Sequence, residues 1–149
     1  MPLERKAVVL DLSSHNTVTS FAEIKAAGIQ GVVLKATQGT RFVDRTFKER
    51  LAKAREAGLL VASYHFATDS DVHDQVAHFL ETVGDTSDVM LALDYEPNPT
   101  GGTMSFAQAK QFLQLVYERT GQRPVLYSGH LLKEQMPKGG DPFVASHRL

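Results

Sequence analysis

Cysteine is absent from this 149-residue chain. Its absence removes disulfide scaffolds, thiolate zinc sites, iron–sulfur clusters and cysteine nucleophiles together, and leaves the compartment open, because cytosolic and exported proteins alike dispense with it. Tryptophan is absent as well. Neither sign of charge is in surplus: 16 Lys and Arg stand against 17 Asp and Glu, a formal net charge of -1. With no block of basic residues, the electrostatic footprint of a nucleic-acid binder is missing. Long apolar runs are missing too. The first one, Ala7 to Leu10, stops at Asp11, too short for a signal peptide's apolar region or for a membrane span. The expectation is therefore no membrane insertion, no Sec signal, and release by another route if the protein acts outside a cell. No GxGxxG or P-loop opens a helix, and no GxSxG surrounds Ser13 or Ser14, so nucleotide-binding and serine-hydrolase chemistry lack support.

What the chain does contain is an alternation of short apolar runs and longer amphipathic stretches within a length suited to one domain, residues 1–149. With 42% hydrophobic residues, it can build a real core. The strand-like runs are Ala7–Leu10, Gly31–Lys35, Leu60–Phe66, Val89–Leu93 and Pro124–Tyr127, with a weaker sixth at Pro142–Ala145. Their near-continuous apolarity predicts parallel strands covered on both faces. Between them, Phe21, Ile24 and Ala27 share a helical face, as do Phe47, Leu51, Ala54 and Ala57. Two further stripes run from Val72 to Val83 and from Phe106 to Tyr117, each followed by a glycine stop, and Ser105 suits the N-cap of the last. Strands alternating with helices give an α/β fold with a mostly parallel sheet, either doubly wound or closed as a barrel.

Polar residues gather where the strands end. The first run passes into Asp11, the second ends at Lys35, the third at Tyr64-His65, the fourth at Asp94-Tyr95-Glu96 and the fifth at Tyr127. In parallel α/β folds the carboxyl ends of the strands meet on one face, and that face holds the site. Asp94 and Glu96 are the sharpest pair, because residues i and i+2 of a strand point the same way. Two carboxylates sharing a partly desolvated site do not both ionise easily, so one keeps a proton near neutral pH. Glycoside hydrolysis needs such an acid beside such a carboxylate. Taken singly, each residue has a plainer role: Asp11 as a turn or cap, Lys35 as a surface cation, and the tyrosines as core with a wet tip. The weight lies in the set. Asp69, Asp71, His73, Asp74 and His78 suit a solvated helix start better than a metal site, since five residues separate the two histidines.

The order of these motifs resembles a known family. Asp11-Leu12-Ser13, then KATQG (35–39), FVDRTF (42–47), SYHF (63–66) and LALDYEP (91–97) are similar to glycoside hydrolase family 25, the Chalaropsis-type lysozymes of bacteria, phages and fungi. The resemblance implies an irregular TIM-like (β/α) barrel and an N-acetylmuramidase acting on peptidoglycan glycan strands at the bacterial cell wall. It implies Glu96 as the general acid. Asp94 would orient the substrate's 2-acetamido group or support developing positive charge, and Asp11 would tune the pair. Tyr64, Tyr127, Lys35 and the adjoining His65 are the candidate substrate contacts, and no cofactor or metal is implied. Because the chain stops at Ser146-His147-Arg148-Leu149, where the family enters another strand, the expected barrel is incomplete at its C-terminus, with an open edge to which a second copy could pair. Two other readings stay open: a peptidoglycan-binding module without catalysis, and a metal-dependent hydrolase using His65, His73 and aspartates.

Overall fold

A computed structural model describes residues 8–147. Five parallel strands lie side by side: β1 (Val9–Leu12), β2 (Gly31–Gln38), β4 (Leu60–Phe66), β5 (Val89–Asp94) and β6 (Val125–Tyr127). A short β3 (Phe42–Val43) folds back antiparallel on β2. Gly39 makes that reversal, with φ 59° in the left-handed region and a Cβ there only 3.3 Å from the Thr68 side chain. The helices are α1 (Phe21–Ala26), α2 (Phe47–Glu56), α3 (Val72–Val83), α4 (Phe106–Thr120), α5 (His130–Gln135) and α6 (Pro142–Ala145). Helix α4 starts as its sequence says it should: Ser105 and Gln108 form a reciprocal capping box, and Gly121 closes the helix in the left-handed region.

One face of the sheet carries the core. Val32, Leu34, Val61, Leu91, Leu93 and Leu126 turn towards Phe47, Leu51, Val76, Phe79, Phe112 and Val116 of the helices, in one continuous buried cluster. The opposite face is open, against the expectation that both would be covered. Met90 is 53% exposed there and Tyr127 52%, and Val9 is also exposed. The strands read as continuously apolar because this open face is itself largely apolar, with Val33, Ala62, Met90, Ala92 and Val125 along it. Composition alone does not say whether something lies on top of it.

Strands β1 and β6 are the two edges, so no barrel closes among the described residues, in keeping with an incomplete one. The β6 edge is partly occupied: Leu126 N–H donates to His147 O at 2.5 Å. Two strand assignments need correction. The segment Pro142–Ala145 is helical, not extended, because Asp141 caps it through Val144 N–H and Pro142 sits at the first turn, where a missing N–H costs nothing. The first strand begins at Val9 and includes Asp11, which pairs with Val33; Ala7 lies outside the described residues.

Candidate active site

The strand register stacks the open face into levels. Asp11, Val33, Ala62 and Met90 stand at one level, Lys35, Tyr64, Ala92 and Val125 at the next, and Phe66, Asp94 and Tyr127 at the one above. Glu96, two residues beyond Asp94, lines the same cavity, as do Ser13 and His15 of the loop after β1. The cavity holds about 520 Å³, within the range of small-ligand sites. It is apolar at its floor and acidic at its carboxyl-end rim. Of the expected residues, Asp11, Lys35, Tyr64, Asp94, Glu96 and Tyr127 therefore come together.

His65 does not. It is fully buried on the covered face, where its ring stacks 5.1 Å from that of Phe112 and 5.7 Å from that of Phe79. Consecutive strand residues point to opposite faces, so Tyr64 and His65 cannot share a cavity. The network also fixes the histidine's tautomer. Gln75 Nε2 donates to Thr68 O and Ser70 O, which leaves Gln75 Oε1 as an acceptor for Thr68 N–H and for His65 Nε2–H (2.8 Å). His65 Nδ1 then accepts from the Thr37 hydroxyl (2.7 Å). Burial lowers its pKa to about 4 despite the Gln75 hydrogen bond. With both ring nitrogens engaged, His65 is no metal ligand, and no cluster of three or more potential ligands occurs among the described residues. Thr37 reaches it because a bulge in β2 between Lys35 and Thr37 reverses the alternation there.

The acids perturb one another. The Asp94 carboxyl is pushed up to about 8, by burial first and then by the adjoining Glu96 and Asp11, with Lys35 opposing. Its Oδ1 is buried without a protein hydrogen-bond partner. Asp11 is raised by burial and by the Glu96 charge, and Tyr64 by burial and by the surrounding carboxylates. Lys35 donates to Gln38 Oε1 (2.8 Å) and lies 5.1 Å and 5.3 Å from the ring centroids of Phe42 and Phe66. Burial lowers its pKa, against the pull of Asp44 and Asp94. The loop after Glu96 is tied to the loop after β4: Asp69 N–H donates to Gly102 O, and a Cβ at Gly102 would collide with the Asp69 carboxylate.

Several residues were not singled out from sequence. Ser13 and His15 line the cavity, and Asp44 and Arg50 hold the loop that carries them. Asp44 was visible as a carboxylate three residues before helix α2, inside FVDRTF, though nothing local says which loop it reaches.

An open, mainly parallel α/β sheet with neighbouring carboxylates at its strand ends is an arrangement that glycoside hydrolysis can use. The sequence model of glycosyl hydrolases family 25 matches residues 10–140, and the chain belongs to that family. Among relatives, it is 32% identical to an autolytic lysozyme of Clostridium acetobutylicum over 58% of this chain and 27% of that protein. It is 29% identical to the N,O-diacetylmuramidase of a Chalaropsis species, over 93% of this chain and 74% of that protein. The structure of a muramidase from Acremonium alcalophilum superposes with a TM-score of 0.78 at 27% identity, covering 87% of this chain and 69% of that one. The chain thus spans about a quarter of the length of the Clostridium relative.

Proposed function

We propose that the cavity takes a peptidoglycan glycan strand and cleaves the β-1,4 bond between N-acetylmuramic acid and N-acetylglucosamine. The observation that carries this reading is the Asp94–Glu96 pair, with Asp94 pushed up to about 8 by burial first and its Oδ1 left without a protein partner. Such a pair holds one proton through the neutral range. That proton sits on Asp94 and passes to Glu96, which stands further towards the rim and delivers it to the leaving glycosidic oxygen as the C–O bond breaks. Asp94 then faces the positive charge or the 2-acetamido group at the anomeric centre. Water supplies the hydroxyl that closes the reaction, and its proton returns to the pair. Asp11 keeps the proton on the pair by its negative charge. Tyr64 and Tyr127 offer rings and hydroxyls to the sugars, and Lys35 offers an ammonium to the acidic substituents of the muramic acid.

The test is turbidity loss and reducing-end release from purified cell walls, comparing wild type with Glu96→Gln. Lysis by the wild type alone supports the reading, and undiminished lysis by the variant overturns it. A second reading, a wall-binding module without catalysis, is favoured by the uncovered sheet face and predicts sedimentation with walls and no reducing ends from either protein. Pairing of two copies along an open edge would show as a doubled mass in sedimentation equilibrium.

A further inference from the structure

Asp11 stands on edge strand β1, which pairs only with β2 among the described residues. Its carboxyl is perturbed by burial and by Glu96, with no hydrogen bond contributing. Something else must decide where it stands. The chain after it, Ser13 to Asn16, closes on itself: Asn16 N–H donates to Ser13 O, and Ser13 N–H donates to Asn16 Oδ1, both at 3.0 Å. Two buried charges from outside then seize this loop. Asp44, 2% exposed, accepts from Ser14 N–H at 2.8 Å, and from Thr46 N–H and the Thr46 hydroxyl at 2.9 and 2.6 Å. Arg50, also buried, donates to Ser13 O at 2.7 Å and to Asn16 O.

Burying a carboxylate and a guanidinium is costly unless their hydrogen-bonding capacity is used. The two do not pair with each other; no ion pair joins them among the described residues. Arg50 directs its guanidinium at two carbonyls of the loop, and Asp44 gives one carboxylate oxygen to the loop at Ser14 N–H and the other to Thr46. Apolar side chains at these two positions would leave Ser14 N–H, Ser13 O and Asn16 O without these partners. The frame extends further, because Asp44 N–H donates to Ala36 O, one residue past Lys35 at the β2 bulge.

We propose that Asp44 and Arg50 are positioning residues of the site: together they clamp the Ser13–Asn16 loop and so fix where Asp11, Ser13 and His15 stand against Asp94 and Glu96. This rests on the reading of the cavity as the reacting site, but its test needs no turnover. The readout is the titration of the Asp94 side-chain carboxyl, followed by 13C NMR in wild type, Asp11→Asn, Arg50→Lys and Asp44→Asn. The titratable groups on the elements around Asp94 are Asp11 on β1, His15 on the loop after it, Lys35 on β2, Tyr64 on β4, Glu96 beyond β5 and Tyr127 on β6. Loss of the Asp11 charge lowers the Asp94 midpoint. Arg50→Lys keeps the charge and loses the fork that spans two carbonyls, so any displacement it causes is geometric. It is expected to lower the Asp94 midpoint part of the way to the Asp11→Asn value and to speed amide exchange at Ser14. Asp44→Asn also removes a charge that acts on Lys35 and Tyr64, so it is read against Arg50→Lys, and the faster Ser14 exchange is the part expected of both. If both variants unfold more easily yet keep the wild-type Asp94 midpoint, the residues merely stabilise the fold and the proposal is overturned. The hydrolytic reading fails separately, on Glu96→Gln.

Discussion

The covered and open faces of this sheet are drawn from alternate residues of the same strands, and they treat polar groups in opposite ways. On the covered face, the one imidazole has a partner at each nitrogen, and Gln75 locks the whole network in place. The polar groups left over among the buried residues are two hydroxyls, Ser63 Oγ and Tyr95 Oη, the cheapest kind to leave unmatched. On the open face, charged groups crowd together and Asp94 Oδ1 has no protein partner. What separates the faces is the kind of group left over: neutral hydroxyls on the covered face, and on the open one a carboxyl held among other acids in a cavity, which is what makes that face a candidate site.

Substitution separates the two faces most sharply at Glu96. Glu96→Gln is expected to cut reducing-end release by about 10²–10⁴-fold, the usual contribution of a general acid, with the thermal midpoint unchanged. A parallel loss of stability would mean that the open face also holds the fold together. On the covered face, Leu93→Ala removes a fully buried side chain and should cost about 2–5 kcal/mol in urea unfolding, with the cavity chemistry left in place.

The pH dependence of stability sharpens the contrast, because the two faces pull in opposite directions: their windows overlap between about 4 and 6.5, where they offset each other, and only the open face acts from 6.5 to about 8. Burial holds the Asp94 pKa near 8 in the folded state, above its ordinary 3.8. The native chain therefore binds more protons than the unfolded one across that window, and stability falls as pH rises through it. Burial holds His65 near 4 against an ordinary 6.5. The unfolded chain binds more protons there, so stability falls as pH drops from 6.5 towards 4. Asp94→Asn should abolish the loss between pH 6.5 and 8, where nothing from His65 opposes it, and raise stability by about 1 kcal/mol near neutral pH, as relief of a strained site does. Thermal midpoints from pH 4 to 9 in wild type and variant check this: the variant should lose stability only on acidification below 6.5, and a fall above 6.5 unchanged in the variant would place its origin elsewhere. The smallest effect belongs to Met90→Ala. That side chain is 53% exposed on the open face, and its truncation should shift stability by less than about 0.5 kcal/mol.

Much of this arrangement was legible because it depends on local rules. The third strand, Leu60–Phe66, needs only an apolar run, and helices α2, α3 and α4 announce themselves by a stripe and a terminal glycine. The common face of Asp94 and Glu96 follows from the two-residue period of a strand. The same period speaks against His65 as a neighbour of Tyr64 in the cavity, a signal present in the sequence and passed over. Other features depend on partners distant in the chain. The bulge at Ala36 is a property of β2 and β4 together, and no reading of β2 alone reveals that Thr37 turns inward. The clamp from Asp44 to Ser14 spans 30 residues. Whether a strand is covered on one face or two is likewise decided outside the strand.

The strands lie side by side in the order in which they occur along the chain, with β3 only a hairpin off β2. Each βα unit therefore docks on an edge that the preceding unit has already built, and the closure entropy met at each step is that of one crossover. A chain emerging from the ribosome need not keep an early strand waiting for a late partner, the circumstance that slows folding and exposes sticky edges in sheets of long-range topology. Here the order of synthesis is also the order of the strands across the sheet.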